Sequence, residues 1–374
     1  MPEAKFLRNV ILKAALLLVV LNVLFAAVYP LPWLGRISAY NTLFPGRERF
    51  PFGEDPQQSY NLSLYNLEAM FASHVVSAAP PDEYRLFLLG DSSVWGTLLE
   101  PQDTLAGQIN AAHLVTCDGR PVRAYNLGYP TLSLTKDLMI LDEAMRYKPD
   151  AIVWLTTLES FPRARQLTSP IVANQPQRVA GLVSAYGLEL GAGDPALHWP
   201  SWWERTLAGS RRSLADLVRL QLYAPLWSAT GIDQVYPQNY PPVQRDFEAD
   251  DLAYNGWQPP DLPMDQLAFD VLDAGFRAAG ETPILLVNEP MLVSSGQNSD
   301  IRYNFFYPRW AYDQYRQLLR RHVREQGWQY QDLWQLLPES EFTNSAIHLT
   351  PHGSARLAQR IMETIVEQAC RPAG

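Results

Sequence analysis

Residues 86–96 read Leu-Phe-Leu-Leu-Gly-Asp-Ser-Ser-Val-Trp-Gly, and this stretch decides the class of fold. The four apolar residues at its start are too few for a helix and end at Gly90, so they predict a short buried strand. Ser92 then falls on a turn that leads into a helix. A buried strand followed at once by a helix is typical of a parallel α/β sheet.

The same alternation of strand and helix continues along the rest of the chain. Apolar runs predict further strands at residues 122–126, 151–155, 283–287 and 328–332. Helical periodicity predicts helices at residues 104–114, 134–145, 266–279, 311–326 and 352–368. We therefore expect a flavodoxin-like, three-layer α/β fold with a parallel sheet of about five strands and a ligand site at their carboxyl ends.

The composition limits the class of protein. Of the 374 residues, 47% are hydrophobic and 18% are charged, which supplies a large core and excludes disorder as the main state. The net charge is −9 without a run of Lys or Arg, so nucleic acid is not an expected partner. The two cysteines, Cys117 and Cys370, form neither a Cys-x-x-Cys pair nor a Cys/His cluster. We expect no metal ion and no cofactor.

An uncharged apolar run near the N-terminus predicts a membrane anchor. Residues 14–34 contain no charged side chain, and at ~1.5 Å per residue they nearly span a bilayer core of about 30 Å. Lys5, Arg8 and Lys13 precede the run and would hold the N-terminus in the cytoplasm, with everything after Arg36 outside. A cleavable signal peptide and a buried core helix are the alternatives.

The anchor divides the chain into three parts. We expect a cytoplasmic stub and transmembrane signal anchor at residues 1–36, an extracytoplasmic stalk at 37–83, and the α/β domain at 84–374. The predicted location is the cell membrane, with a single span. An oxidising compartment would allow Cys117 and Cys370 to form one disulfide, although two buried thiols are equally compatible with the sequence.

A long segment, residues 161–282, separates the third predicted strand from the fourth. A crossover between parallel strands needs only about a dozen residues, so we expect most of this segment to be an inserted helical and loop subdomain. It carries Trp199, Trp202 and Trp203 and a helix-like stretch at residues 213–229. These tryptophans suit a membrane-facing surface, a surface for a partner protein, or the aromatic core of a helical cap.

Ser92 has the position of a nucleophile, and a histidine suited to serve as its base occurs near the C-terminus. A serine between a strand and a helix has an exposed hydroxyl group and nearby backbone N–H groups that can bind an oxyanion. His348 lies in Ile-His-Leu-Thr-Pro-His-Gly at residues 347–353, directly before the last predicted helix. A serine hydroxyl needs such a base to take its proton.

With Gly-Asp-Ser-x-x-x-Gly at residues 90–96 and His-Leu-Thr-x-x-Gly at 348–353, the chain resembles the SGNH (GDSL-type) hydrolase superfamily. The resemblance extends over residues 84–365 in order and spacing. It implies the SGNH hydrolase fold, with Ser92 as the nucleophile and its backbone N–H in the oxyanion hole. It also implies His348 as the base.

The second family motif matches in part. Asn126-Leu-Gly resembles its start, with Gly128 at the first glycine of the motif, and we predict Gly128 in the oxyanion hole. Thr131 stands at the second glycine, where the resemblance places the family's usual oxyanion glycine; a backbone donor tolerates this change unless the turn needs a positive φ.

The third family motif contains an oxyanion asparagine, which this chain lacks. Its sequence there is Thr-Thr-Leu-Glu-Ser at residues 156–160. We predict Thr157 as the donor that replaces the asparagine, with Thr156 and Asn288 as alternatives.

The triad acid of the family is also missing. It should lie three residues before the histidine, where this chain has Ser345, preceded by Asn344. We predict Asn344 as the residue that orients the imidazole. An amide cannot offset the imidazolium charge, and the corresponding change in a serine protease lowers kcat about 10⁴-fold. The carboxylates nearest in sequence are the alternatives: Asp332, Glu339 and Glu341.

Two further segments are predicted to bind substrate. Asn288 and Glu289 follow the fourth predicted strand and so lie at the carboxyl edge of the sheet. Arg302 and Asn304 belong to residues 296–307, a loop of mixed polar and aromatic side chains that would recognise a sugar or a polar head group or form a rigid lid.

Three functions are compatible with these residues. The first is a membrane-anchored, extracytoplasmic serine esterase or deacylase that uses a Ser-His pair on O-acyl esters of a cell-surface glycan or lipid. The second is an O-acyltransferase acting on an envelope polymer, because the resemblance includes anchored proteins that work with a membrane-bound O-acyltransferase partner. The third is a catalytically degenerate envelope protein with a binding or structural role. Hydrolysis and transfer share one acyl-enzyme, so the sequence does not separate them.

Overall fold

Five strands form one central sheet in the computed structural model, which describes residues 2–44, 46–52, 65–191, 193–230 and 239–369. They are β1 (Tyr84–Leu89), β2 (Val122–Asn126), β3 (Ala151–Thr156), β4 (Ile284–Asn288) and β5 (Gln329–Asp332). The order in the sheet is β2-β1-β3-β4-β5, and every neighbouring pair is parallel. The parallel α/β sheet predicted from the sequence is confirmed.

Helices precede, separate and follow these strands. They are α1 (Pro2–Val28), α2 (Leu31–Leu34), α3 (Ala39–Leu43), α4 (Leu67–Ser73), α5 (Ser92–Trp95), α6 (Leu105–Ala111), α7 (Leu134–Ala144), α8 (Pro170–Ala173), α9 (Pro176–Tyr186), α10 (Arg211–Thr230), α11 (Phe269–Ala279), α12 (Arg309–Gln326) and α13 (Pro351–Ala369). Short 3₁₀ turns lie at Val75–Ala78, Pro101–Asp103, Met145–Tyr147, Leu158–Ser160, Arg163–Arg165, Met264–Gln266 and Glu339–Glu341.

The helices cover both faces of the sheet because both faces are apolar. Successive strand residues point to opposite sides, so Phe87 and Leu89 join an apolar cluster that includes residues of α7, α11 and α12. Leu86 and Leu88 join a second cluster with residues of α6 and α13. The result is the predicted three-layer arrangement of helix, sheet and helix.

The strand register brings distant parts of the sequence to one edge. Thr156 at the end of β3 pairs with Asn288 of β4, which pairs with Asp332 of β5. The loops that follow the carboxyl ends of the strands therefore meet at this edge, where the ligand site is expected.

The apolar run at residues 14–34 forms two helices. α1 ends at Val28 and α2 begins at Leu31, because Pro30 has no N–H and disfavours helical backbone at Tyr29. Within the described residues, one helical segment, Ala4–Val28, is long and apolar enough to cross a membrane, and it is almost entirely unburied. Such a segment is typical of a membrane anchor or a signal sequence.

The first part of segment 161–282 packs onto the main core. Its apolar side chains belong to the same cluster as one face of the sheet, among them Phe161, Leu167, Ile171, Val172, Val179 and Leu182. The backbone of residue 162 also bridges that of Leu267, near the other end of the segment. This half of the predicted insertion shares the hydrophobic core of the α/β domain.

The second part of the segment lies against the N-terminal region. α10 buries Leu220, Ala224 and Trp227 together with Tyr40 of α3. Trp199, Trp202 and Trp203 are exposed, at 48%, 60% and 58% of their surface. The interpretation of these tryptophans as the core of a helical cap is therefore wrong, and the two surface interpretations remain.

One cysteine of the chain can be described. Cys117 is disulfide-bonded, and Cys370 lies outside the described residues.

The contact between α11 and β3 yields a stability prediction. A Cβ atom at Gly275 of α11 would lie 2.2 Å from the ring of Trp154, whose side chain is fully buried. Gly275→Ala should therefore lower the free energy of unfolding by about 1–3 kcal/mol through overpacking, despite its gain in helix propensity. Urea unfolding followed by circular dichroism measures this change.

Gly181→Ala is the matched control, because Gly181 lies within α9 and a Cβ there meets nothing within 4 Å. It should stabilise the protein by up to about 1 kcal/mol. Equal effects of the two substitutions would contradict the packing of α11 on Trp154.

Candidate active site

The turn after β1 presents Ser92 at the carboxyl edge of the sheet. Asp91 is the N-cap of α5, and its Oδ1 accepts a hydrogen bond of 2.8 Å from the backbone N–H of Ser93. Ser92 is thus the first residue of α5, and its side chain is only partly buried. Its own backbone N–H has no acceptor among the residues that the structure describes. A helix start with a free N–H beside an exposed hydroxyl suits a nucleophile.

His348 and Asn344 complete a line of hydrogen bonds with Ser92. The Nε2 atom of His348 lies 2.7 Å from Oγ of Ser92, and its Nδ1 lies 2.7 Å from Oδ1 of Asn344. An amide oxygen only accepts, so Nδ1 carries the proton and Nε2 is free to accept the proton of the serine hydroxyl. The structure therefore brings together the three residues that the sequence analysis selected as catalytic.

Two backbone contacts fix the loop that carries His348. The N–H of Thr343 donates to the carbonyl of His348 at 2.9 Å, and Phe342 and Leu349 form an antiparallel bridge. These contacts fold residues 342–349 back on themselves and place Asn344 directly beside the imidazole of His348.

Burial lowers the pKa of His348 from 6.5 to about 4. The cause is desolvation, which disfavours the charged imidazolium. The imidazole is therefore neutral at neutral pH and available to accept a proton, and the same desolvation makes it a weak base.

The three carboxylates considered as alternatives to Asn344 have other partners. Asp332 pairs with Arg316 and Arg320. The remaining two pair elsewhere: Glu339 with Arg245 and Ser295, and Glu341 with His352 and Thr350.

Two residues predicted for the oxyanion hole are hydrogen-bonded within the protein. The N–H of Gly128 donates to Oδ1 of Asn126 at 3.1 Å, and Oγ1 of Thr157 lies 2.9 Å from the hydroxyl of Tyr307. Gly128 has a packing role instead, because a Cβ there would lie 2.4 Å from the backbone nitrogen of Trp95 in α5. The glycine lets the turn after β2 approach the helix that carries the nucleophile.

A buried group of charged residues packs against the turn that carries Ser92. Nζ of Lys136 donates to the carbonyl of Gly90 at 2.7 Å and to Asp137 at 2.5 Å. Asp137 also accepts from the indole of Trp154 at 3.2 Å. The sequence analysis missed Lys136 and Asp137, although two adjacent charges near the start of an apolar helix are a signal that could have found them.

Glu289 belongs to this buried group. Its Oε2 accepts from Oγ of Ser93 at 2.5 Å, and it is hydrogen-bonded to Asp91. Burial, followed by the negative charge of Asp91, raises the pKa of Glu289 well above its usual value. The raised pKa favours the protonated form of Glu289, which can donate a hydrogen bond to Asp91. The side chain of Glu289 is buried next to the turn that carries Ser92.

The other residues predicted to bind substrate are buried and engaged. Asn288 donates to Asp332 at 2.8 Å and accepts from Tyr312 at 3.2 Å. The guanidinium group of Arg302 donates to four backbone carbonyls, those of residues 251, 253, 304 and 305. Asn304 bonds to the backbone of residues 292, 306 and 307. Arg302 and Asn304 therefore hold the loop at residues 296–307 in its conformation.

Comparison with known proteins gives similarities of structure. No protein-family model matches the sequence, and no relative was found among curated proteins. The chain is similar to Est24, a carbohydrate acetylesterase from Sinorhizobium meliloti, with 12% identity and a TM-score of 0.34 over 76% of this chain and 100% of that chain.

Two other solved structures are similar to the same extent. A member of the lipolytic protein G-D-S-L family from Veillonella parvula has 9% identity and a TM-score of 0.34, over 75% of this chain and 96% of that chain. The aryl esterase of M. smegmatis has 12% identity and a TM-score of 0.33, over 76% of this chain and 98% of that chain. Identities this low do not carry an activity from one chain to another.

The protonation of Glu289 is testable. A glutamine has the same shape as a protonated glutamate, donates to Asp91 and accepts from Ser93, so Glu289→Gln should keep the free energy of unfolding within about 1 kcal/mol of the wild type. Glu289→Ala leaves Asp91 and Ser93 without these bonds and should cost about 1–3 kcal/mol or more. Chemical unfolding at pH 7 compares the two variants. A loss in Glu289→Gln as large as in Glu289→Ala would mean that the native side chain is ionised.

Proposed function

We propose that this chain is a membrane-anchored serine esterase or deacylase that acts on O-acyl groups outside the cytoplasm. The observation that carries the proposal is the 2.7 Å contact between Oγ of Ser92 and Nε2 of His348, a neutral base. A serine hydroxyl at a helix start, in contact with such a base, is the arrangement that forms acyl-enzymes.

The reaction begins with attack of Ser92 Oγ on the carbonyl carbon of the ester while Nε2 of His348 takes the hydroxyl proton. The tetrahedral intermediate carries its negative charge on the former carbonyl oxygen. As the intermediate collapses, the C–O bond to the alcohol breaks, and the imidazolium returns the proton to the departing alcohol. Water then attacks the acyl-Ser92 ester by the same route, with the histidine again as base, and releases the acid.

Two backbone N–H groups are proposed as donors to the oxyanion. Those of Ser92 and Thr131 have no acceptor among the described residues. The turn that carries Thr131 lies beside that of the nucleophile, because the N–H of Tyr129 donates to the carbonyl of Gly90 at 3.0 Å. Backbone donors at these positions would replace the family asparagine, whose loss otherwise costs about 2.7–4 kcal/mol.

The proposed location follows from the N-terminal segment. Lys5, Arg8 and Lys13 precede the apolar part of α1, and cytoplasmic ends of membrane spans are enriched in such residues. The disulfide at Cys117 fits an oxidising compartment on the far side of the membrane. The acyl esters within reach of an anchored domain are those of cell-surface glycans or lipids.

Transfer is the second candidate, because the acyl-enzyme on Ser92 is the same whether water or the hydroxyl group of an envelope polymer attacks it. A membrane-bound O-acyltransferase partner would then supply the acyl group. The continuous hydrogen bonds from Ser92 through His348 to Asn344 argue against a purely structural protein, since such a protein does not need them.

Covalent labelling tests the nucleophile. An activated fluorophosphonate should modify the wild type at Ser92, and Ser92→Ala should abolish the modification because no other described serine contacts a histidine in this way. Ser93→Ala is the matched control on the same helix and should still be labelled. Intact-protein mass spectrometry gives the readout. An unmodified wild type, beside an esterase that reacts, would overturn the enzymatic proposal.

The role of Asn344 is tested by the pH dependence of acylation. With a pKa of about 4 for His348, the wild-type kcat/KM on a p-nitrophenyl ester should stay level down to about pH 5 and fall below it. In Asn344→Asp a carboxylate favours the imidazolium, so the fall should begin at higher pH, and the plateau should rise by up to about 10⁴-fold.

Glu341→Gln serves as the control, since Glu341 contacts His352 and not His348. It should leave the pH profile unchanged. A collapse of activity in Glu341→Gln, together with no change of activity in Asn344→Asp, would show that Asn344 is not the third member of the triad.

A further inference from the structure

An exposed apolar surface lies on the second part of segment 161–282. It is defined here as the insertion surface and consists of Trp199, Trp202, Trp203, Val218, Leu222 and Leu226, each at least 48% exposed. Soluble surfaces rarely collect so many large apolar side chains in so short a stretch without a partner. The question is what covers them.

The same stretch of chain is attached to the proposed membrane anchor. The N–H of Ala208 donates to Oδ1 of Asn22 within α1 at 2.9 Å, and the guanidinium group of Arg205 lies 5.2 Å from the ring centre of Tyr29. Asn22 lies six residues before Val28, the last residue of α1, and at ~1.5 Å per residue this is about 9 Å back along the helix. The loop at residues 205–208 therefore lies alongside α1 and not beyond its end.

The charges at the start of α1 show how deep this loop must lie. Lys13 is the last charged residue of α1. The uncharged part of this helix therefore runs over residues 14–28 and is about 22 Å long at ~1.5 Å per residue. A hydrocarbon core is about 30 Å thick, or ~20 residues of helix, and the long side chain of Lys13 reaches back to the inner head groups. With the outer boundary at Val28, where α1 ends, Asn22 lies about 9 Å below that boundary, within the outer leaflet.

α10 has the two faces expected of a helix at such a boundary. Leu220, Ala224 and Trp227 face Tyr40 and are buried. Val218, Leu222 and Leu226 follow each other at intervals of four residues, which places them on one exposed stripe. The protein covers one face of α10 and leaves the other open.

The side chains around this stripe match a lipid interface. Exposed tryptophans concentrate at the level of the head groups. Arg211, Arg212 and Arg219 are exposed on the same helix and can reach lipid phosphates.

We propose that the insertion surface is embedded in the outer interface of the membrane, beside α1, with lipid as its occupant. The inference rests on the proposed anchoring by α1. It adds that the α/β domain is held to the bilayer at two places, by a span and by an interfacial helix. Two attachments would fix the orientation of the domain, whereas a single span would leave it free to swivel.

The test places an environment-sensitive fluorophore at single engineered cysteines of the full chain in nanodiscs that hold one copy each. The variants are Leu222→Cys on the stripe, Val19→Cys within α1, and Gln359→Cys on the exposed side of α13 as the control. The unsubstituted chain, treated in the same way, gives the background from the native cysteines. Quenching by lipids brominated in their acyl chains reports contact with the membrane.

We expect the fluorophores at positions 222 and 19 to be quenched several-fold more than the one at position 359. Quenching at position 19 with none at position 222 would overturn the interfacial surface and leave the anchor intact. If the fluorophore at position 222 also reports contact with water, that result would favour a partner protein as the occupant. An apolar signal at 222 without quenching would assign the stripe to a contact within the protein and also overturn the proposal. Absence of quenching at position 19 would refute the anchor itself.

Discussion

The ammonium group of Lys136 lies at the centre of this structure. It has no exposure to solvent, and its bonds to the carbonyl of Gly90 and to Asp137 tie α7 to the turn that carries Ser92. A buried charge is tolerated only with partners, and removal of one partner leaves an uncompensated charge. The turn therefore has little freedom: Gly90 also accepts from Tyr129, and Asp91 caps α5. The position of Ser92 follows from this constraint.

Desolvation decides the chemistry of the base as well. His348 packs in a site where burial alone lowers its pKa, and the amide of Asn344 fixes the tautomer without adding charge. The pair is thus oriented as in a triad but weaker as a proton acceptor. A weak base costs acylation rate at neutral pH and keeps the imidazole neutral in acid. The same kind of burial raises the pKa of Glu289, which packs next to the turn.

The N-terminal helix and segment 161–282 are connected by more than sequence. Asn22 of α1 bonds to Ala208, and α10 encloses Tyr40 of α3, so the part of the chain next to the span is packed against the late part of the insertion. The apolar stripe of α10 remains uncovered because the helices around it occupy only its other side. A bilayer is the environment in which both α1 and this stripe would lose their contact with water.

The sequence by itself determined the class of fold, and it predicted Ser92 and His348, which the structure places in contact. Runs such as residues 86–89 are too short for a helix and end at a glycine, which predicts buried strands. Ser92 and His348 stand next to elements whose start is marked locally by Gly90 and Pro351. Asn344 was found because it lies four residues from the histidine. The tertiary structure alone decided which polar side chains are engaged within the protein. Thr157 bonds to Tyr307, 150 residues away, and Asn288 bonds to Asp332, 44 residues away. Arg302 and Asn304 combine local bonds with longer ones, to carbonyls 51 and 12 residues before them. Lys136 acquired its role in the same way, because a bond to Gly90 46 residues away exists only once β1 and α7 are packed. Local periodicity specifies elements, whereas hydrogen-bond partners depend on which elements meet.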